Sequence, residues 1–129
     1  MPSSEDLSDE QRRRQEKGQT FERLAAEYFE RHGFEILERN WRASHREIDL
    51  IVRKENLIVF VEVKSSASTK FGHPAARIDE RKMANLTRAA QQYLIDYHVE
   101  RCDLRFDVVT FVDGRIEHFP DAFPANEES

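Results

Sequence analysis

The sequence predicts an α/β domain in which helices flank a central mixed β-sheet, with elements in the order α-β-β-β-α-β-β. Three observations carry this reading. Two stretches space their apolar residues as one face of a helix. Five shorter stretches, rich in Val, Ile, Leu and Phe, read as strands. The central strands do not alternate apolar with polar residues, so both of their faces are covered, and helices are what cover them.

The first helix runs over 20–32, where Phe21, Leu24, Ala25, Tyr28 and Phe29 fall at i, i+3, i+4, i+7 and i+8. Gly33 suits the position after the helix, where a left-handed backbone is easiest for glycine. Phe34–Asn40 is the first strand. Glu47–Arg53 and Leu57–Lys64 form a β-hairpin about the tight connection Lys54-Glu55-Asn56. A Ser-, Thr-, Gly- and Pro-containing loop, 65–77, leads to a second helix capped by Asp79. That helix carries a stripe of Met83, Leu86, Ala90, Tyr93, Leu94 and Tyr97. Leu104–Val112 is the next strand, Asp113-Gly114 a hairpin turn, and Arg115–Phe119 a short edge strand.

Outside this domain, 18–119, the chain is polar. Residues 1–17 hold five acids and four bases with almost no apolar content, which predicts a disordered or frayed arm. Residues 120–129 read as a flexible tail. With 129 residues the chain is one domain by length. No apolar run approaches the roughly 20 residues of a membrane helix, and the polar N-terminus is not a secretory signal. Cys102 is the single cysteine, which excludes an intramolecular disulfide and a cysteine-based zinc site and points to the cytoplasm. No two of the five histidines stand at i,i+4, so a histidine zinc site on a helix is excluded too.

The chemistry lies in the hairpin. Asp49 sits within Ile48-Asp49-Leu50-Ile51-Val52, and Glu62 and Lys64 within Val59-Phe60-Val61-Glu62-Val63-Lys64. Ionisable groups in such apolar strands are costly to bury unless paired or bound to a metal. Glu62 and Lys64, two residues apart, share a sheet face. If residues 53 and 58 pair, Asp49 lies opposite Glu62, with Cβ atoms about 4.5–5.5 Å apart. Two such carboxylates repel unless one is protonated or a cation lies between them. A hard cation such as Mg²⁺ or Mn²⁺ takes one or two carboxylates plus water and substrate phosphate, and metal-assisted phosphodiester hydrolysis adds an activated water and a nearby positive group, which Lys64 supplies. The competing reading is a buried structural ion-pair network.

Asp49 followed by Glu62-Val63-Lys64 on the next strand resembles the PD-(D/E)XK nuclease signature, and the αβββαβ order is similar to its restriction endonuclease-like core. Residues 18–112 resemble the YraN-like family of uncharacterised bacterial proteins, related to archaeal Holliday-junction resolvases. The matching segments are Gly18 with Glu22 and Ala25-Ala26, Ile36-Leu37 with Asn40 and Arg42, Glu47–Ile51, Val59–Lys64, Phe71-Gly72, Lys82, Ala90 with Tyr93-Leu94, and Arg105–Val109. The resemblance implies Asp49, Glu62 and the Val63 carbonyl as metal ligands, Lys64 as catalytic, and Glu22 as a further acid near the metal. It implies a Mg²⁺- or Mn²⁺-dependent endonuclease acting on branched or structured DNA, or a catalytically silent nucleic-acid-binding module that keeps the fold. Here Arg46 stands where the family usually has glycine, and Ser66 where it commonly has a basic residue.

Alternatives stay open for several residues. Glu22 and Glu47 belong to the site or are exposed acids. Asp107 reads as a structural hydrogen-bonding group, and Trp41 packs at the sheet edge or stacks on a base. The total charge of −5 argues against a nucleic-acid partner, but its distribution does not. Residues 39–54 carry five bases against two acids, and 64–88 six against two. Arg42, Arg46, Lys70, Arg77 and Lys82 are the expected nucleic-acid contacts. Cutting two strands would call for a homodimer with paired sites.

Overall fold

The amphipathic stretches and apolar strands assemble into three layers in a computed structural model that describes residues 8–66 and 79–125. Helix α1 spans Asp9–Arg31, followed by strands β1 (Glu35–Ala43), β2 (Arg46–Lys54) and β3 (Leu57–Ser66), helix α2 (Glu80–Asp96), and strands β4 (Asp103–Val112) and β5 (Arg115–Phe119). The sheet order is β1-β2-β3-β4-β5. Only β3 and β4 run parallel; the other neighbours are antiparallel. A parallel pair needs a crossover connection, and α2 lies within it. The α/β class with a mixed sheet and flanking helices is therefore as expected, and it is consistent with a restriction endonuclease-like core.

Both sheet faces are covered, which is why the central strands lack alternation. Ala25, Ala26 and Phe29 of α1 pack on Leu50, Val52, Val59, Val61, Val109 and Phe111. Leu86, Ala89, Ala90 and Tyr93 of α2 pack on Ile48, Ile51, Ile58, Phe60, Phe106 and Val108. Small alanines on each helix bring its backbone close to the sheet. The turns follow their chemistry: Gly33 has φ +87°, and Asp113 and Gly114 both have positive φ, as a type I′ turn requires. Asp79 caps α2, its carboxylate accepting from Lys82 N at 2.9 Å.

The ends of the domain differ from expectation. Helix α1 begins at Asp9, inside the segment 1–17 assigned to a disordered or frayed arm. A capping box starts it: Ser8 Oγ accepts from Gln11 N, and Gln11 Oε1 accepts from Ser8 N. Asp9 and Glu10 then sit favourably at the positive end of the helix dipole. This part of α1 is exposed and lacks an apolar stripe, so periodicity does not reveal it. At the other end the domain continues past 119, into the expected flexible tail. Ala122 N donates to Phe106 O at 2.8 Å, and the buried Phe123 ring stacks on Phe106 at 5.0 Å. One aromatic side chain is enough to dock a polar tail. Tyr97, expected in the apolar stripe of α2, follows the helix as its C-cap and is exposed, although it stacks on Tyr93. Among the described residues no helix is long and apolar enough to cross a membrane.

Candidate active site

A break in the sheet creates the site. The β2–β3 ladder has the expected register, from Lys54↔Leu57 to Leu50↔Val61. It ends there, one step short of Asp49 and Glu62, while β3 stays paired with β4 as far as Ser66. Asp49 and Glu62 are thus at the mouth of a fork between β2 and β3, not a regular cross-strand pair. The cause is visible in the face pattern. Leu50 packs beneath α1, yet Ile48, which alternation would put on the same face, packs beneath α2. The phase slips at Asp49. On β1 the flanking pairs Arg39↔Leu50 and Trp41↔Ile48 leave Asn40 opposite Asp49, and Asn40 has φ +50°. Asn tolerates that left-handed conformation better than most residues, so the two strands turn together at this point. Freed from the alternation, Asp49 reaches β3, where its Oδ2 accepts from Val63 N–H at 2.8 Å.

Glu62 continues the face of Ile58 and Phe60 towards α2 and is 5% exposed. Its Oε1 lies 3.4 Å from Lys64 Nζ and 3.4 Å from Lys82 Nζ. Its Oε2 is buried and has no hydrogen-bond partner among the described residues. Asp49 carries the electrostatic consequence. Burial first, then the nearby Glu62, push its carboxyl from 3.8 up to about 8, with smaller contributions from Glu22 and Glu47 and against the opposing Val63 N–H bond. Burial and the facing carboxylate thus oppose a second negative charge at the fork, a conflict that a cation would relieve.

Glu22 of α1 belongs to the same group. Its carboxyl is also raised, by burial and by Glu47 and Glu62, while a side-chain hydrogen bond from Asn40 opposes the shift. Glu47 lies 3.8 Å from Arg42, an exposed pair of little energetic weight. Among the described residues no three His, Cys, Asp or Glu side chains converge closely enough to cage a metal ion. The donor set is the Asp49–Glu62 pair, which suits a hard cation that keeps much of its water, such as Mg²⁺, and not a dedicated cage. The Glu62 Oε2 without a partner among the described residues and the raised Asp49 carboxyl fit such an ion.

The expected site residues thus divide. Asp49, Glu62, Lys64 and Glu22 converge, and Val63 joins through its N–H. Lys82, expected to contact nucleic acid, lies with its Nζ 3.4 Å from Glu62 Oε1. Arg46 faces a groove against α2. Lys70 and Arg77 lie outside the described residues, as do Phe71, Gly72 and His73. Trp41 packs edge-to-face on Tyr93 at 5.3 Å, so it is packing that holds it. Asp107 is fully buried: Arg105 Nε and Nη2 donate to it at 2.7 and 2.8 Å, Asp121 N at 3.0 Å, and His118 Nε2 lies at 2.6 Å. His118 Nδ1 is in turn 3.0 Å from the Tyr28 hydroxyl on α1. This is the structural role expected of Asp107. Sequence reasoning gave Asn40 no part in the site; the signal available was its place among the residues that carry the family resemblance.

The profile of the uncharacterised protein family UPF0102 matches residues 21–111. Among similar proteins, a UPF0102 protein of Chlorobium phaeobacteroides is 38% identical over 114 residues, covering 81% of this chain and 90% of its own. A UPF0102 protein of Persephonella marina is 39% identical over 107 residues, covering 83% and 92%. One from Chlorobium chlorochromatii is 42% identical over 118 residues, covering 84% and 91%. The matched segment runs from α1 to β4 and so contains every residue of the fork, and with it the chain belongs to the uncharacterised protein family UPF0102.

Proposed function

We propose that this protein is a metal-dependent endonuclease that hydrolyses phosphodiester bonds in DNA, with branched or structured DNA as its substrate. The observation that carries the reading is the fork. Asp49 and Glu62 are two neighbouring carboxylates, one with its pKa raised by burial and by the other, and the other with a buried oxygen lacking a partner among the described residues. Asp49, Glu62 and the Val63 carbonyl would hold Mg²⁺ or Mn²⁺. The ion supplies Lewis-acid polarisation of a phosphoryl oxygen and a more acidic water.

The chain's own residues do the rest. Lys64, tethered 3.4 Å from Glu62 and only partly exposed, places a positive charge where the phosphate gains negative charge. It also orients the attacking water. Water adds to phosphorus and gives up a proton to solvent, one P–O ester bond breaks, and the departing oxygen takes up a proton. Lys82 gives the same oxygen of Glu62, Oε1, a second cation. The Val63 N–H fixes Asp49 so that its other oxygen is left for the ion. Glu22 adds negative charge that favours a divalent cation.

The test is a panel of four-way junction, flap, nicked and linear duplex DNA with Mg²⁺ or Mn²⁺, for wild type beside Lys64→Ala. Metal-dependent cleavage of a structured substrate, lost in Lys64→Ala, is the expected result. Mn²⁺ binding by calorimetry should vanish in Asp49→Ala/Glu62→Ala. Equal Mn²⁺ binding by wild type and double mutant overturns the site. Salt-sensitive binding without cleavage assigns the protein to the silent DNA-binding alternative.

A further inference from the structure

We infer that the groove between the β1–β2 turn and the outer face of α2 is a binding subsite for a DNA backbone phosphate, read by Arg46. The inference rests on the endonuclease reading and adds where the strand runs beside the fork.

The groove encloses about 560 Å³. Ser44 and Arg46 form its sheet side, and Arg88, Gln91, Gln92 and Asp96 its helix side. These groups are mostly hydrogen-bond donors of the kinds that hold phosphate oxygens. The acid, Asp96, accepts from Gln92 Nε2 through Oδ1 at 2.7 Å and keeps its charge, set against the two arginines of the lining. Arg46 is different. Its Nε is buried and has no hydrogen-bond partner among the described residues. A buried guanidinium nitrogen without an acceptor is costly, and nothing among the described residues engages the Nε edge of this guanidinium. Arg46 lines the groove, and its guanidinium matches a phosphate there in shape as well as charge.

Position supports the same ligand. Arg46 precedes Asp49 by three residues on β2, about 10 Å at strand rise. Arg88 follows Lys82 by six residues on α2, about 9 Å at helical rise. The groove and the fork therefore lie at matching distances along the two elements that border both. A strand with one phosphate at Asp49 and Glu62 carries its neighbours at spans of this order. Arg46 then serves to set the strand's path and register, not its chemistry.

The experiment is fluorescence anisotropy of a labelled four-way DNA junction in Ca²⁺ between 50 and 200 mM salt. Wild type is compared with Arg46→Gln and with Gln91→Glu, which puts an acid on an exposed helix position in the same groove. Arg46→Gln should bind about tenfold more weakly, with the slope of log K against log salt reduced by about one. Gln91→Glu should weaken binding in the same direction without loss of thermal stability. If wild type binds the junction and both variants match it in affinity and salt slope, the subsite is wrong and the endonuclease reading stands. If wild type does not bind, the reading itself falls and takes the subsite with it. Should Arg46→Gln fail to fold, Gln91→Glu decides.

Discussion

Replacing Asp49 by Asn should make the metal-free protein more stable at neutral pH and less so in acid. A carboxyl whose pKa is raised by folding binds its proton more tightly folded than unfolded. Its cost is absent below the unfolded pKa and grows as pH rises, until the folded carboxyl itself ionises. For Asp49 that window runs from 3.8 to about 8. Between 3.8 and pH 7 lie a little over three pH units, and at about 1.4 kcal/mol per unit the cost reaches about 4 kcal/mol. Solvent at the partly exposed side chain returns a share of this, so a gain of about 2 kcal/mol is the expectation at pH 7 to 8. Asn keeps the shape and an oxygen for the Val63 N–H but carries no charge. The assay is urea unfolding in EDTA at pH 5, 7 and 8, followed by the fluorescence of Trp41, the single tryptophan, which packs on Tyr93 between sheet and helix. A gain of about 2 kcal/mol moves the midpoint by about 1 M with m unchanged. The gap should narrow towards pH 5, and saturating Mg²⁺ should narrow it at pH 8, because an ion bound by wild type stabilises only wild type. An Asp49→Asn variant no more stable than wild type at pH 8, or a gap independent of pH, refutes the reasoning.

Two further variants probe what shapes the domain. Asn40→Ala should be about 1 kcal/mol less stable than Asn40→Gly, because both lose the bond to Glu22 but only alanine resists φ +50°; equal urea midpoints would show that the strand break does not depend on that backbone. Asp107→Ala should cost about 3–5 kcal/mol, since it strands a partly buried Arg105 guanidinium and the His118 ring. Against burial, which pushes the other way, the bonds from His118, Arg105 and Asp121 N–H hold the Asp107 carboxyl below its usual range. Its stabilisation is therefore present at neutral pH and lost only as pH falls below about 4; a urea-measured loss under 1 kcal/mol at pH 7 would refute the role.

What was legible in the sequence follows from where the information is local. The Asp79 cap, the Asp113-Gly114 turn and the hairpin register each depend on a few neighbouring residues and appear as expected, as do the helix faces apart from Leu24 and Tyr97, which are exposed. Asp49, Glu62 and Lys64 were legible because charge inside an apolar strand conflicts with its surroundings. The first turns of α1 were not, since a capping box and charges hold them without an apolar stripe. Nor was the docked Phe123, a single aromatic in a polar tail. Lys82 and Asn40 depend on tertiary placement: where α2 crosses the end of β3, and where β1 and β2 turn together. No local pattern encodes either.

The two groups of buried carboxylates in this domain argue for different purposes. Asp107 is completely enclosed, yet its two oxygens receive three N–H donors and lie beside His118, and its pKa falls. The fold is thus able to neutralise a buried acid fully where the acid is structural. At the fork it does the reverse. Both lysines approach Oε1 of Glu62 and neither reaches Oε2, which has no partner among the described residues. Asp49 has the Val63 N–H as its donor and three carboxylates for neighbours, so its pKa climbs. If the fork were only a structural ion-pair network, its basic groups would be arranged as at Asp107, with both oxygens of each acid covered. Carboxylates of one domain thus sit in opposite environments, as groups with different roles do. Both lysines serve one oxygen of Glu62, and its Oε2, without a partner among the described residues, is where the proposed divalent cation would add the missing charge.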